Sequence, residues 1–168
     1  MKFFLLVPIS IFSLLLAGCN TVTSSYQYTK GTASLQKGDF EAAISHLEEA
    51  VKLEPNMARN QTNLSSAYMM AGDLQNAWLH ARQATLATVY NESEMQIAVF
   101  NLMQLWKTMK EKYNINVGTT QEEIISFLGE PDDMIAFKEN NQTALVYGVL
   151  PIRFEEGKFV KAYATEIK

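Results

Sequence analysis

Apolar residues follow three different patterns along this chain of 168 residues. Near the start, one apolar stretch runs from Phe3 to Leu15, which is too short for a bilayer-spanning helix of about 20 residues. Between Glu92 and Tyr113, apolar residues recur at intervals of three and four, which predicts an amphipathic helix. The C-terminal part contains short runs rich in β-forming side chains, which predict strands. The order of these patterns predicts helices first and a small sheet last.

The N-terminus has the organisation of an export signal. Lys2 precedes the apolar stretch, and small residues lead to Cys19, so residues 1–18 are predicted to be a cleaved signal peptide. The sequence LAGC resembles the bacterial lipobox, and this resemblance implies that the Cys19 thiol receives a diacylglyceryl group. Cys19 is the only cysteine, so no internal disulfide can form. The alternative is an ordinary signal peptide followed by a buried structural cysteine.

A lipidated Cys19 would tether the mature protein to a membrane, because two or more acyl chains form a stable anchor. In the enterobacterial lipoproteins that the motif resembles, an Asp after the cysteine signals retention in the inner membrane. Asn20 stands there instead, which favours the periplasmic face of the outer membrane. Residues 19–26 are mostly polar and show no apolar period, so we expect a flexible, lipidated leash.

One phrase of sequence occurs twice. GDFEAAISHLEEA begins at Gly38 and GDLQNAWLHARQA begins at Gly72, so the copies are offset by 34 residues. This offset is the period of tetratricopeptide repeats. The residues that resemble this family are Gly31, Gly38, Phe40, Ala43, Leu47, Ala50 and Pro55 in the first copy and Leu64, Tyr68, Gly72, Leu74, Ala77, Ala81 and Ala84 in the second.

The resemblance implies that each copy folds as a hairpin of two closely packed helices. Gly38 and Gly72 would end the first helix of each pair in a left-handed conformation. Asp39 and Asp73 would then cap the second helix by accepting hydrogen bonds from its free amides. The repeated phrase therefore predicts two stacked hairpins.

The second copy departs from the family pattern at two positions. Pro55 terminates the first copy, but Val89 stands at the matching position of the second. Ser65 occupies a position where the family often has Gly. These departures affect the angle at which the chain leaves the second hairpin, and they do not affect the prediction that the hairpin forms.

Two hairpins leave an apolar end that a further element must cover. The amphipathic helix between Glu92 and Tyr113 is the predicted closing helix, so the helical domain is expected to span residues 27–113. A cofactor or membrane-surface role for its apolar stripe is the alternative, and core packing is the favoured interpretation. The stripe consists of Met95, Val99, Leu102, Trp106, Met109 and Tyr113.

Residues 114–168 are predicted to form a small α+β domain. Thr120 and Glu123 make a capping box that opens a helix to Leu128, and Gly129 with Pro131 ends it. The sequence FEEGKF predicts a tight hairpin with Gly157 in the left-handed conformation. The predicted strands are Met134 to Lys138, Thr143 to Tyr147, Ile152 to Phe154 and Phe159 to Thr165. The chain as a whole is therefore expected to be α+β, with an all-α superhelix followed by a helix and an antiparallel sheet.

This C-terminal segment resembles the SmpA/OmlA (BamE-like) domain of small outer-membrane lipoproteins. The matching residues are Gly118, Thr120, Glu123, Ile124, Leu128, Gly129, Pro131, Phe154, Gly157 and Val160. In that family the domain is a non-catalytic scaffold of the machinery that inserts β-barrels into the outer membrane. The resemblance implies a scaffold role here as well.

Composition and charge exclude several classes of function. The formal net charge is −4, and removal of residues 1–18 takes away Lys2, which argues against nucleic-acid binding. His46 and His80 occupy equivalent repeat positions without matching carboxylates or thiols, so no metal site is predicted. The adjacent acidic pairs Asp132-Asp133 and Glu155-Glu156 diverge in turns and do not suit acid–base catalysis. No cofactor and no enzymatic activity are expected.

The resemblance to tetratricopeptide repeats implies a binding groove lined mainly by the first helix of each hairpin. Only one of the predicted groove residues, Arg59, is charged, so a clamp for a terminal carboxylate is not expected. Methionines and a tyrosine offer an adaptable apolar surface for an extended peptide or a helix. The predicted groove residues are Tyr28, Thr32, Leu35, Arg59, Thr62, Asn63, Ser66, Met69 and Met70.

These features together predict an outer-membrane lipoprotein that acts as a protein–protein adaptor in the periplasm, with a role in envelope or outer-membrane protein assembly. Its partners would be the membrane, through Cys19, and a periplasmic or outer-membrane protein or peptide. Two alternatives stay open. One is a pilotin-like lipoprotein of secretion or pilus assembly, and the other is a cell-wall hydrolase or a regulator of one.

Overall fold

The computed structural model describes residues 9–137 and 141–162, with side chains from residue 21 onward. The first eight residues, Lys138 and the predicted strand end at 163–165 lie outside this range. Among the helices described, none is long and apolar enough to cross a membrane. The elements are α1 (Ile9–Lys37), α2 (Phe40–Leu53), α3 (Ala58–Met70), α4 (Leu74–Leu86), α5 (Glu92–Lys112), α6 (Gln121–Leu128), β1 (Asp133–Phe137), β2 (Gln142–Tyr147), β3 (Leu150–Glu155) and β4 (Lys158–Ala162).

The two predicted hairpins are confirmed as the pairs α1/α2 and α3/α4. Gly38 and Gly72 have φ angles of 76° and 85°, where a side chain would be strained. The carboxylate of Asp39 accepts a hydrogen bond from the backbone of Ala42, and Asp73 caps α4 in the same way. Helix α5 then packs against both α3 and α4.

Small residues hold the helices close together, as the repeat pattern predicts. A Cβ atom built on Gly31 would lie 2.5 Å from Cγ of Leu47, so only glycine fits there. Ala77 is fully buried against α3. Ser65, one of the two departures from the repeat pattern, donates a hydrogen bond to the Ala77 carbonyl at 2.8 Å. The hydroxyl therefore links α3 to α4 through a hydrogen bond that a glycine at position 65 could not make.

The second departure, Val89, also has a structural reason. Its backbone N–H donates to the carbonyl of Asn56 at 3.0 Å, and its own carbonyl accepts from the N–H of Ala58. These two bonds form a parallel bridge between Met57 and Val89. A proline at this position has no N–H to donate, so the bridge explains why the second copy lacks the terminating proline.

The segment expected to be a flexible leash is helical instead. Helix α1 runs without interruption through residues 19–26. Ser24 is fully buried, its hydroxyl donates to the Ala50 carbonyl, and it accepts from the Asn60 side chain. The leash prediction was wrong because these partners lie on α2 and α3, and a local pattern cannot show them.

The C-terminal helix and sheet follow the prediction closely. Thr120 and Glu123 form the capping box at the start of α6, and Gly129 ends it with a φ angle of 79°. The four strands form an antiparallel sheet in the order β1-β2-β3-β4. Glu156 and Gly157 both have positive φ angles, 50° and 75°, as a tight two-residue hairpin turn requires.

The described residues form two hydrophobic cores. The first core lies between the two hairpins and consists of Ala43, Leu47, Leu64 and Ala67. The second core begins on α4 and continues through α5 and α6 into the sheet, so the boundary expected between residues 113 and 114 does not divide the packing. The large buried side chains of the second core include Trp78, Leu105, Met109, Ile124, Tyr147 and Phe154.

An ion pair adds a polar link between α4 and the sheet. Arg82 contacts Asp132 through two hydrogen bonds, of 2.7 and 3.1 Å, and both side chains are largely shielded from solvent. Asp132 also accepts from the backbone N–H of Gly148 at 2.6 Å. The guanidinium lies 5.0 Å from the ring centre of Tyr147. Asp132, which the sequence suggested to be a solvated turn residue, therefore fixes the sheet on the helical part.

Candidate functional site

A pocket opens on the face of the superhelix where α1, α3 and α5 come together. Its volume is about 120 Å³. Four of the nine predicted groove residues line it, namely Tyr28, Arg59, Thr62 and Asn63. Helix α5 supplies the remaining lining residues, Glu94 and Ile97. We call this surface the groove pocket.

The polar groups of the groove pocket are only partly satisfied within the protein. Arg59 places its guanidinium 5.1 Å from the ring centre of Tyr28. Its Nε atom is buried and has no hydrogen-bond partner in the described part of the chain, and the same holds for Oγ1 of Thr62. Buried polar groups are nearly always hydrogen-bonded. These two atoms are therefore polar groups of the pocket-lining residues that lack a partner within the described chain.

Glu94 and Ile97 are the lining residues that the sequence prediction missed. Helix α5 was expected only to close the superhelix, because its apolar stripe marks the face turned toward the core. Ile97 lies on another face and is 57% exposed. The repeat period could have located it, since Ile97 follows Asn63 by the same 34 residues that separate the two hairpins. Helix α5 thus takes the place of a third inner helix.

The structure does not bring the other predicted groove residues into this pocket. The hydroxyls of Thr32 and Ser66 donate back to their own helices. Leu35 packs against the first core. Met69 is partly buried against the second core, so its substitution would disturb packing as well as the surface. Met70 is exposed but does not line the pocket.

The two repeat histidines are bonded to glutamines. Nδ1 of His46 lies 2.8 Å from Oε1 of Gln27, and Nδ1 of His80 lies 2.8 Å from Oε1 of Gln61. Burial lowers the pKa of His80 below its ordinary value. Within residues 9–137 and 141–162, no group of three or more His, Cys, Asp or Glu is placed to hold a metal ion. The histidines thus join the two helices of each hairpin.

Tyr68 extends this polar arrangement between the hairpins. Its ring stacks on His80 with the ring centres 5.5 Å apart, and its hydroxyl donates to Glu48 at 2.5 Å. Burial, followed by the hydrogen bond to the Glu48 carboxylate, raises the pKa of Tyr68 to about 12. The hydroxyl therefore stays protonated at neutral pH and serves as a hydrogen-bond donor.

The fold and the pocket together define an α+β protein whose helical hairpins stack to form an inner face with a small pocket. The family model described as "Tetratricopeptide repeat" matches residues 34–78, from the last turn of α1 into α4. The chain therefore contains tetratricopeptide repeats, and stacked repeats of this kind create extended concave surfaces used for protein–protein interaction. A search of curated proteins finds no match to the sequence.

Proposed function

We propose that this protein is a lipid-anchored, non-catalytic adaptor that holds a protein segment in its groove pocket, on the periplasmic face of the outer membrane. The observation that supports this proposal most strongly is the pocket itself. It lies among three helices of a repeat superhelix and contains buried polar atoms without partners in the described chain.

The lining residues indicate which chemistry the groove pocket accepts. Tyr28 and the exposed side chain of Ile97 offer apolar surface, while Arg59, Thr62 and Asn63 offer polar contacts. Arg59 and Glu94 carry opposite charges, so the pocket has no excess of one sign. A ligand held mainly by apolar burial and by hydrogen bonds to its backbone fits this lining better than a terminal carboxylate does. Binding is expected to depend only weakly on salt.

The proposed anchor would hold the groove close to the membrane. Residues 19–26 belong to α1, and Ser24 is already packed against α2 and α3. Few residues therefore separate a lipidated Cys19 from the folded body. The adaptor would sit at the membrane surface on a helical stem instead of moving on a flexible leash.

The C-terminal sheet provides a second surface for such an adaptor. Strand β1 is an edge strand and exposes Met134 and Ile135. The opposite edge is different, because Thr119 and Gly118 hydrogen-bond to Phe159 of β4. Among the described residues no further strand pairs with the outer edge of β1, and an apolar edge strand of this kind is suited to protein contacts. This feature and the resemblance to the SmpA/OmlA domain support a role in envelope or outer-membrane protein assembly.

The groove is tested by placing a photo-crosslinking amino acid at single positions and irradiating living cells. Asn63 lines the pocket, whereas Gln83 is exposed on α4 and lies outside it. Crosslinks to a discrete envelope protein from position 63, but not from position 83, would support the proposal. Equal crosslinking from both positions, or from 83 alone, would show that the pocket is not the binding surface.

The anchor is tested separately with Cys19→Ser. Loss of the acylation site should move the processed protein from the membrane fraction to the soluble periplasmic fraction. The N-terminus of each fraction is determined by mass spectrometry, so that uncut precursor is recognised. A processed protein that still sediments with membranes would contradict lipid anchoring without affecting the groove proposal.

A further inference from the structure

A second pocket, separate from the groove pocket, lies at the turn between the two hairpins. Its volume is about 230 Å³. The lining residues are Glu54, Pro55, Asn56, Met57 and Val89, which belong to the connection from α2 to α3 and the connection from α4 to α5. We call it the turn pocket.

The turn pocket is rigidly built. The side-chain amide of Gln61 donates to the Pro55 carbonyl at 2.8 Å. The backbone bonds of Val89 to Asn56 and Ala58 join the two connections. Because both walls are fixed by hydrogen bonds, a ligand would enter a shape that already exists, and preorganised sites lose less entropy on binding.

Glu54 gives this pocket one uncompensated charge. Its Oε2 atom is buried and has no hydrogen-bond partner in the part of the chain that the structure describes. None of the other lining residues carries a charge. The basic residue closest in sequence, Lys52, is paired instead with Glu49, at 3.2 Å. A partly buried carboxylate with no donor for one oxygen in the described chain is stabilised when a cation approaches its other oxygen.

The remaining walls suit the stem of a long basic side chain. Pro55, Met57 and Val89 present apolar atoms, and Val89 is 51% exposed. Lysine and arginine bury their methylene groups along such surfaces while the charged head reaches a partner. Because the turn pocket combines an apolar wall with a carboxylate, it differs from the groove pocket, where the two charges have opposite sign.

We propose that the turn pocket binds a lysine or arginine side chain of a protein partner, with its methylenes on Met57 and Val89 and its cationic head against Glu54. The groove pocket would then hold the main chain of a partner while the turn pocket recognises one basic residue. The proposal does not depend on lipid anchoring or on occupancy of the groove.

The test uses the full-length, ¹⁵N-labelled chain in neutral detergent and two small probes. Nα-acetyl-lysine methylamide carries the ammonium group, and Nα-acetyl-norleucine methylamide is its apolar counterpart. We expect saturable amide shifts at Asn56, Met57 and Val89 with the lysine probe only. Glu54→Gln should weaken this binding about tenfold or more, as loss of a charge-assisted hydrogen bond predicts.

Two further variants make the result decisive. Glu122→Gln removes an exposed carboxylate on α6, outside this pocket, and should leave the lysine titration unchanged. If Glu54→Gln does not fold, Glu54→Asp shortens the same side chain, keeps its charge and should still weaken the binding. The proposal is overturned if the lysine probe gives no saturable shifts at these amides, if norleucine binds equally well, or if the Glu54 variants bind like the unaltered chain.

Discussion

The two cores of this molecule are built in different ways. The first core consists of alanine and leucine side chains at repeat positions, and the close approach of Gly31 to Leu47 completes it. The second core is aromatic. Trp78 of α4 contacts Trp106 of α5 and Tyr147 of β2, with ring centres 6.5 and 5.7 Å apart. One core is therefore a contact between neighbouring repeats, and the other gathers residues from distant parts of the chain.

This difference has a functional consequence. The inner face with the groove pocket is formed by α1, α3 and α5. Among the described residues of these three helices, only α5 contributes buried members to the second core, whereas α3 adds the partly buried Tyr68 and Met69. The aromatic core fixes α5 against α4 and the sheet, and so it positions Glu94 and Ile97 in the pocket. The second core therefore holds the α5 wall of the groove pocket in place. Substitutions in the two cores should consequently lower the free energy of unfolding by different amounts.

The largest effect is expected from Trp78→Ala, which removes the side chain at the centre of the second core. Trp78 is 1% exposed, and truncation of a buried tryptophan typically lowers the free energy of unfolding by about 3 to 5 kcal/mol. Urea unfolding followed by circular dichroism measures the loss. A change below about 1 kcal/mol would show that α4 and the sheet do not share a core.

The ion pair between α4 and the sheet should contribute less. Asp132→Asn removes the charge that Arg82 binds and should lower the free energy of unfolding by about 1.5 to 3 kcal/mol. Asp133→Asn is the matched control, because the exposed Asp133 carboxylate accepts a hydrogen bond from the neighbouring Met134 backbone, whereas the Arg82 guanidinium binds Asp132. Equal destabilisation by both variants would contradict the specific role of Asp132.

A similar or smaller effect is expected where α3 and α4 meet. Ala77→Leu places a larger side chain in a fully buried contact and should cost about 1 to 3 kcal/mol. Gln83→Leu, on the exposed side of the same helix, should leave the thermal transition nearly unchanged. If Ala77→Leu also leaves the transition unchanged, then the close packing of the second hairpin is disproved.

The smallest effects are expected at the helix caps, and they compare the two hairpins directly. Asp39→Ala and Asp73→Ala each remove the carboxylate that caps a helix. In both caps the aspartate Oδ1 lies 3.1 Å from the backbone nitrogen that donates to it. Each should lower the free energy of unfolding by about 1 kcal/mol. A cost at one cap only would mean that the two hairpins, although equivalent in sequence, do not unfold together.

Local features of the fold could be predicted from sequence, and distant contacts could not. Gly38, Asp39 and their counterparts follow from backbone and capping chemistry within a few residues. The helical state of residues 19–26 depends on the contact of Ser24 with Asn60, which no local pattern reveals. The role of Trp78 was missed for the same reason, because its aromatic neighbours lie on α5 and in the sheet.

The candidate site, like the fold, could be predicted from sequence only in part. The register of the repeats identified Tyr28, Arg59, Thr62 and Asn63, which the structure brings together in one pocket. Met69 does not line this pocket, and its partly buried side chain packs against the second core. The 34-residue offset from Asn63 points to Ile97, and the packing of α5 against α3 and α4 then identifies α5 as a third inner helix.

We propose that the groove pocket holds a protein partner mainly by apolar burial. The most direct test is the affinity of the partner captured by crosslinking, measured for Ile97→Glu and for Leu79→Glu at low and high salt. Both residues are exposed, but only Ile97 lines the pocket. We expect about a tenfold or greater loss for Ile97→Glu, no loss for Leu79→Glu and little change with salt. If Ile97→Glu binds with unchanged affinity, or if the unaltered chain loses most of its affinity at high salt, then the partner is not held in the groove pocket by apolar burial.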